Sequence, residues 1–451
     1  MWNGKEKVYF IGICGISLSA LAKILKSQGH EVSGSDTDIG EMSKDLESCG
    51  INVVYGHNEC KIDDYDVVVY SAAISADNPE LLRAKKLRKK ILSRAQLLGE
   101  ISKKYKTTIA IAGSHGKTTT TGMISTILIN ANLDPTIHIG GNFDKIGGNV
   151  RIGKSKYFVT EACEYKDSFL KLKPKISVIL GVQADHMDYF KTIGNLQNSF
   201  NKFAANTKKS GAVVFDASCK RSVMAANCAL CKQISVSKSK KSNQLATNII
   251  AGNSGCYSFS YYENGKNLGR IYLSVPGRHN ITNALAAIAV AREIGVDFST
   301  IQNSLYEFCG VDRRFQYIGK INGAKVFHDY AHHPTEIKAS IAVAREMNCK
   351  KLFVVFQPHT FSRTKSFFCR FASVLAKADQ TIMYPIYPAR EQPIKGITSE
   401  ALSAKINKKG GHSIHLCSFE KIKDYLSQNA TAQDLVLILG AGDIVNLTKT
   451  I

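Results

Sequence analysis

A chain of 451 residues exceeds the usual length of one domain. Its 44% hydrophobic and 21% charged residues suit a packed globular fold and exclude a low-complexity chain, and no apolar run reaches the roughly 18 residues of a membrane span. The formal net charge of +22 points to polyanions, but the basic stretches Arg83 to Lys90 and Lys232 to Lys241 carry no interleaved aromatics, so nucleotides or phosphorylated substrates are expected rather than nucleic acid.

The opening "MWNGKEKVYFIGICG" enters a strand almost at once, so no secretory or transit peptide is expected. Val8 to Ile11 reads as a strand and Gly12 to Gly15 as a turn. Ile16, Ala20, Ile24 and Leu25 recur at helical spacing, Gly29 ends that helix, and "HEVSGSD" is a second strand closing at Asp36. This βαβ unit has a phosphate-sized turn, but Cys14 and Ser17 stand where a dinucleotide fingerprint wants glycines. A nucleotide diphosphate fits the turn better than NAD. A further strand is expected in "DVVVYSAAI", Asp66 to Ile74. A basic helical stretch then leads out of this first segment, 1–105.

The second segment, 106–311, opens on "TTIAIAGSHGKTTTTGMI": a buried strand, a glycine turn and a helix over about Lys117 to Asn130. The spacing is G-x-x-G-K-T, a shortened phosphate cradle with Ile111 where a longer loop has glycine. Glycines let backbone N–H groups approach phosphate, Lys117 supplies charge to the β/γ-phosphates, and Thr118 or Thr119 offers a hydroxyl to Mg²⁺. "TEACEY" offers Glu161 and Glu164 after one strand, and "ADHMD" offers Asp185, His186 and Asp188 after another. In an open sheet both groups emerge at the carboxyl edge beside the cradle, where a hard cation needs oxygen ligands. "PGRHNITNALAA" sets Asn280 and Asn283 one turn apart on an apolar helix. They could hydrogen-bond an adenine edge, but taken alone helix capping is the favoured reading. Residues 211–275 read as short strands and loops.

The third segment, 312–451, repeats the α/β rhythm, with strands at "KLFVVFQPH", "QTIMYPIY" and "DLVLILGAGD". "GVDRRFQ" and "HDYAHHPTEI" lie at the boundary before it and are dense in charge for a linker. The 12 cysteines are scattered, and the lone C-x-x-C of Cys228 and Cys231 favours free thiols over zinc.

Taken together and in order, "GICGISLSALA", "AGSHGKTTTT", "EACEY", "ADHMDYF", "PGRHNITNALAA", "RRFQ", "DYAHHPTE", "FQPHTFSRT", "YPAREQPIKG" and "GAGDI" resemble the Mur ligases of peptidoglycan synthesis, over residues 8–445. "DYAHHPTE", "FQPHTFSRT" and "YPAREQP" resemble its alanine-adding branch. The resemblance implies an α/β chain of three domains: Rossmann-like at the N-terminus, a central P-loop ATPase-type domain, and Rossmann-like at the C-terminus. It implies ATP and Mg²⁺, with UDP-N-acetylmuramate and L-alanine as substrates. The sugar-linked carboxylate would become an acyl phosphate before the amine attacks.

The resemblance further implies roles for residues. Gly113, Ser114, His115, Gly116, Lys117, Thr118 and Thr119 would bind ATP phosphates, with Lys117 on the transferring group. Thr118, Glu161 and His186 would be metal residues, and His186 catalytic as well. Asn280 and Asn283 would contact adenine. Arg314 and Asp329 would meet phosphate and ribose, and His359 and Arg363 the substrate carboxylate or incoming alanine. Gly12, Gly15 and Ser71 would hold the UDP moiety. A cytoplasmic enzyme of cell-wall biogenesis, cell shape and cell division follows, monomeric or homodimeric, with no nucleic acid and no membrane span. Gly181 and Gln183 depart from the family pattern before "ADH", as do Cys14 and Ser17 in the first turn. A ligase that joins a tripeptide to the same UDP-sugar shares every ATP motif and is the main rival. A nucleic-acid binder with an ATP switch and a weakly active ligase are the others.

Overall fold

The computed structural model describes residues 5–37, 40–71, 73–252, 255–389 and 391–451, without the side chain of Asp188. The chain divides into two compact units. One takes residues 1–247, 260–271 and 282–308, the other 248–259, 272–281 and 309–451.

The first unit begins with five parallel strands in the order β3-β2-β1-β4-β5: β1 (Lys7–Ile11), β2 (Glu31–Asp36), β3 (Asn52–Tyr55), β4 (Val67–Tyr70) and β5 (Lys90–Ser93). Helices α1 (Ile16–Ser27), α2 (Glu41–Ser48), α3 (Pro79–Lys86) and α4 (Arg94–Lys103) alternate with them. The strand order reverses between β1 and β4, so the crevice for a ligand opens between the loops that follow those two strands. Gly12, Gly15 and Ser71 stand in those loops. Gly12 holds φ +80, and its N–H bonds Ser35 O at 2.8 Å. Asp36 turns back to accept from Cys14 N at 2.8 Å, which braces the turn.

The same unit continues with β6 (Thr107–Ala112), α5 (Lys117–Asn130), β7 (Thr136–Phe143), β8 (Gly148–Arg151), β9 (Tyr157–Glu161) and β10 (Ile176–Ile179). Then come α6 (Met187–Phe190), α7 (Ile193–Ala205), β11 (Ala212–Asp216), α8 (Lys220–Ala226) and β12 (Lys232–Ser237). Strand β6 pairs in parallel with β9 on one side and β10 on the other. Their apolar residues are buried, as a parallel sheet covered on both faces requires. Residues 211–275 hold more regular structure than expected. After β12 come β13 (Gln244–Ala251), β14 (Cys256–Glu263) and the 11-residue β15 (Lys266–Pro276), extending this sheet to ten strands. Asn264 and Gly265, both at positive φ, make the tight hairpin turn between β14 and β15. Helix α9 (Asn280–Glu293) begins in the second unit and ends in the first, where α10 (Phe298–Glu307) follows it.

The second unit carries a six-stranded sheet in the order β16-β17-β21-β18-β19-β20. In chain order these are β16 (Gln316–Ile321), β17 (Ala324–Asp329), α11 (Pro334–Glu346), β18 (Leu352–Phe356) and α12 (Phe361–Leu375). β19 (Gln380–Met383), α13 (Ser399–Asn407), β20 (Ser413–His415), α14 (Phe419–Asn429) and β21 (Leu435–Leu439) complete it. Only β16 is antiparallel. The stretch read as a dense boundary segment is thus split. "GVDRRFQ" leads into the unit, whereas His328 and Asp329 end β17, an interior strand paired on both sides. Among the described residues no cysteine forms a disulfide. Among the described residues no helix is long and apolar enough to cross a membrane.

Candidate active site

Helix α5 has no side-chain cap, unlike α3, α4, α7 and α10, which Asn78, Ser93, Thr192 and Asp297 close. Its N-cap is Gly116 in the left-handed region at φ +84, where a Cβ would stand 2.5 Å from Asn283 Oδ1. Gly113, at φ +140, would drive a Cβ to 2.9 Å from Leu180 Cβ. Both positions therefore require glycine, and the turn they shape presents the start of α5 as an anion cradle. Ser114 pins this turn to the loop after β10. Its N–H bonds Gly181 O at 2.8 Å, its Oγ donates to Gln183 O at 3.0 Å and accepts from Gln183 N at 2.9 Å. The two departures from the family pattern thus act here through their backbones. His115 and Thr119 are half-buried at the same turn, and Thr118 is buried. Thr120 and Thr121 are fully buried and belong to the packing of α5.

Lys117 Nζ lies 2.5 Å from Gly113 O and 3.0 and 3.2 Å from the Glu164 carboxylate oxygens. Burial opposes its charge, but Glu164, with Cys163 and Glu161 adding, outweighs burial and keeps the ammonium charged above the usual lysine range. Glu164 is completely buried. Ligand atoms of Glu164, Asp185 and His186 lie within 4.8 Å of one another. Two carboxylates and an imidazole in that reach form a hard donor set that fits a divalent cation. Glu161 is not in this group, and its Oε1 accepts from Gly140 N at 2.6 Å. Asp188 was offered by sequence as a further ligand, but its side chain lies outside the described residues.

The backbone around the trio is strained. His186, Lys166, Asp167 and Lys191 all hold positive φ without being glycine. His186 N is fixed by Asp185 Oδ1 at 2.8 Å, and its ring lies 4.8 Å from that of Tyr165.

Asn280 and Asn283 are both buried on α9, and the Asn280 side chain donates to Pro276 O at 2.7 Å. That bond is not an N-cap, because the amide donates to a carbonyl at the end of β15 instead of accepting from a helix N–H. Within the second unit, the Arg314 guanidinium lies over the Tyr330 ring at 5.5 Å. Burial pushes the neighbouring Asp329 carboxyl up to about 6, although Arg314 and the 2.7 Å bond from Ser340 Oγ oppose the shift. At the end of β18, Arg363 donates to His359 Nδ1 at 3.1 Å and to His359 O at 3.3 Å. Burial, with Arg363 and His332 adding, lowers His359 to about 4, so its imidazole is neutral near pH 7. With Nδ1 accepting from Arg363, the proton sits on Nε2 as a donor. Arg390 of "YPAREQP" lies outside the described residues.

The sequence model of the Mur ligase middle domain matches residues 111–291. That of the Mur ligase family catalytic domain matches 7–106, and that of the Mur ligase glutamate ligase domain matches 313–442. The chain belongs to the Mur ligase family. As a Mur ligase it is 45% identical to the UDP-N-acetylmuramate–L-alanine ligase of Acetivibrio thermocellus over 443 residues, 98% of this chain and 94% of that protein. Among solved Mur ligases, the UDP-N-acetylmuramate-alanine ligase MurC of Thermotoga maritima superposes with a TM-score of 0.84 at 28% identity, covering 99% of this chain and 98% of that one. The murein peptide ligase of Psychrobacter arcticus superposes with a TM-score of 0.74 at 26% identity and the same coverage. The three α/β domains expected from the sequence are those of the family. Glu164 and Asp185, offered by the sequence after their strands but passed by in the carried-over assignment, join the candidate site. The signal for Glu164 was its place on the loop facing Lys117, which strand order alone discloses.

Proposed function

We propose that this Mur ligase joins L-alanine to the carboxylate of UDP-N-acetylmuramate at the expense of ATP, the first peptide step of peptidoglycan precursor synthesis. The observation that carries the reading is the alignment of three adjacent parallel strands. β6 ends in the cradle with Lys117, β9 runs into the loop of Glu161 and Glu164, and β10 runs into that of Asp185 and His186. Sequence identity along nearly the full chain to an L-alanine-adding enzyme supports the choice of amine.

A carboxylate is a poor acyl donor because its oxygen leaves badly. Phosphorylating it supplies a good leaving group, and the amine then attacks the carbonyl. The site's task is to hold two anions together and to stabilise the charge that builds on the moving phosphoryl group. The N–H groups of the cradle from Gly113 to Thr119 bind the phosphates, and Lys117 places its charge on the transferring one. Glu164, Asp185 and His186, with Thr118, would hold Mg²⁺, which neutralises phosphate charge when bound. We assign Glu161 to the edge of that site. Asn280 and Asn283 are assigned to adenine, and Arg314 and Asp329 to phosphate and ribose. Arg363 with the His359 Nε2–H donor suits a carboxylate, and we assign the pair to the carboxylate of L-alanine. Gly12, Gly15 and Ser71 are assigned to the UDP moiety. Because ATP and UDP-sugars are cytoplasmic pools, we place the enzyme there. The domain limits 1–105, 106–311 and 312–451 are proposed for the sugar-nucleotide, ATP and amino-acid parts.

Mass spectrometry of products from UDP-N-acetylmuramate, ATP and Mg²⁺ with either L-alanine or the tripeptide tests the reading. Addition of one alanine residue is expected. Preferential addition of tripeptide would transfer the chain to the recycling branch.

A further inference from the structure

Ser17 is a departure in the first turn that the reaction as derived leaves without a role. It stands in the first turn of α1, directly after the proposed UDP loop. Its Oγ lies 2.9 Å from His138 Nε2, and Arg94 Nη1 donates to the same oxygen at 3.2 Å. His138 is buried on β7, and its Nδ1 lies 2.9 Å from Thr160 Oγ1 on β9. Thr160 Oγ1 donates in turn to Glu161 O at 3.1 Å.

One set of protons satisfies every member. Arg94 only donates, so Ser17 accepts from it and gives its own proton to Nε2. Thr160 gives its proton to the Glu161 carbonyl, so it accepts from Nδ1–H. Burial, with Arg94 adding, lowers His138 to about 3, so the ring stays neutral and the chain keeps one direction. A second contact docks the same helix. Asn149 on β8 donates to Ile16 O and, at 3.1 Å, to Ser19 Oγ.

Arg94 is the free end of this chain. It opens α4 at the carboxyl end of β5, on the edge where a ligand of the N-terminal sheet binds. Among the described residues Ser17 is the one hydrogen-bond partner of its guanidinium, and no carboxylate pairs with it. Its charge is nonetheless felt at Cys163, in the loop between Glu161 and Glu164.

We propose that Ser17, His138 and Thr160 are positioning residues that hold the Arg94 guanidinium as an anchor for an anionic oxygen of the sugar nucleotide, between the UDP loop and the loop carrying Glu161. The anchored oxygen belongs to the diphosphate or to the muramyl carboxylate, both of which offer the same ligand chemistry to arginine. The proposal rests on the UDP-N-acetylmuramate reading above.

Two readouts keep the two readings apart: calorimetric binding of UDP-N-acetylmuramate and of UDP-N-acetylglucosamine, which lacks the carboxylate, and steady-state kinetics. Arg94→Ala is expected to weaken UDP-N-acetylmuramate binding roughly 10-fold or more, and Ser17→Ala several-fold, with KM for ATP unchanged. Ser17→Thr, which keeps the hydroxyl, should bind as the wild type does. The double variant should be no worse than Arg94→Ala, because Ser17 acts through Arg94. If UDP-N-acetylglucosamine binding falls in parallel, the diphosphate is the anchored group; if it does not, the carboxylate is. Either outcome supports the anchor. Wild-type binding by Ser17→Ala, or full additivity in the double variant, would overturn it even if the enzyme turns over as proposed. Sugar-nucleotide binding that depends on Ser17 in an enzyme that adds no alanine would uphold the anchor and sink the ligase reading. Failure of the wild type to bind either nucleotide would overturn both.

Discussion

Lys117 and Glu164 form a buried pair whose two members answer to different demands. Removing the lysine leaves a fully buried carboxylate alone, a change that costs about 3–5 kcal/mol in other buried pairs. Lys117→Ala should therefore lose stability as well as at least roughly 100-fold in phosphate release. Pairing Lys117→Met with Glu164→Gln should recover thermal stability and leave activity lost, as melting curves and a phosphate assay on the same preparations would show. Activity that returned with stability would mean that the lysine matters only for packing. Asp329 makes a separate prediction about pH. Burial raises its folded value to about 6, above the ordinary aspartate range, so the folded chain holds that proton more tightly. Stability contributed at this site then falls as pH rises from about 4 to about 6 and levels off above. The melting temperature of Asp329→Asn relative to wild type should climb across that window, and a flat difference would remove burial as the cause. Lys117, His186 and the cradle residues could be named as candidates because glycine, lysine, threonine and histidine carry their chemistry in the residue type itself. The partnership of Lys117 with Glu164 was not, since it depends on which loop crosses β6.

At the scale of elements, the βαβ units were the most readable part. The helix expected over Lys117 to Asn130 and the strand expected in "TTIAIA" coincide with α5 and β6, because the glycine turn separates two almost continuously buried stretches whose lengths suit a strand and a helix. The strands expected over 211–275 are present, but longer and more regular than expected, for a physical reason. Strand β14 alternates buried with half-buried residues, and Ser258, Ser260, Asn267, Arg270 and Ser274 on the open sides of β14 and β15 give this stretch a loop-like composition. "INGAK" carried the signal for the hairpin of β16 and β17, since Asn322 and Gly323 both hold the positive φ that such a two-residue turn demands. The cradle offers the sharpest test at this scale. Gly116→Ala places a methyl group in a left-handed conformation 2.5 Å from Asn283 Oδ1. It should cost about 1–3 kcal/mol and raise KM for ATP, whereas Gly410→Ala, also at positive φ but with open space around it, should cost stability without changing ATP binding. Equal ATP kinetics in the two variants would mean that α5 does not carry the nucleotide.

For the whole molecule, three open α/β sheets each place their named residues at the carboxyl ends of strands, as such sheets do for anionic and polar ligands. Sequence alone could give that rhythm, the order of the motifs and the family. It could not give the strand orders, which set Ser71 beside the Gly12 turn and His138 beneath Ser17. The net charge of +22 suits an enzyme that handles ATP and a UDP-sugar together, and the charge beyond the site has no structural explanation. The defining chemical event is the transfer of a phosphoryl group to the sugar-linked carboxylate, and oxygen labelling reads it out directly. UDP-N-acetylmuramate carrying ¹⁸O in its carboxylate, incubated with ATP, Mg²⁺ and L-alanine, should yield inorganic phosphate with one ¹⁸O per molecule, released only when the UDP-sugar is present. Unlabelled phosphate, or release at the same rate without the UDP-sugar, would contradict activation of that carboxylate as an acyl phosphate.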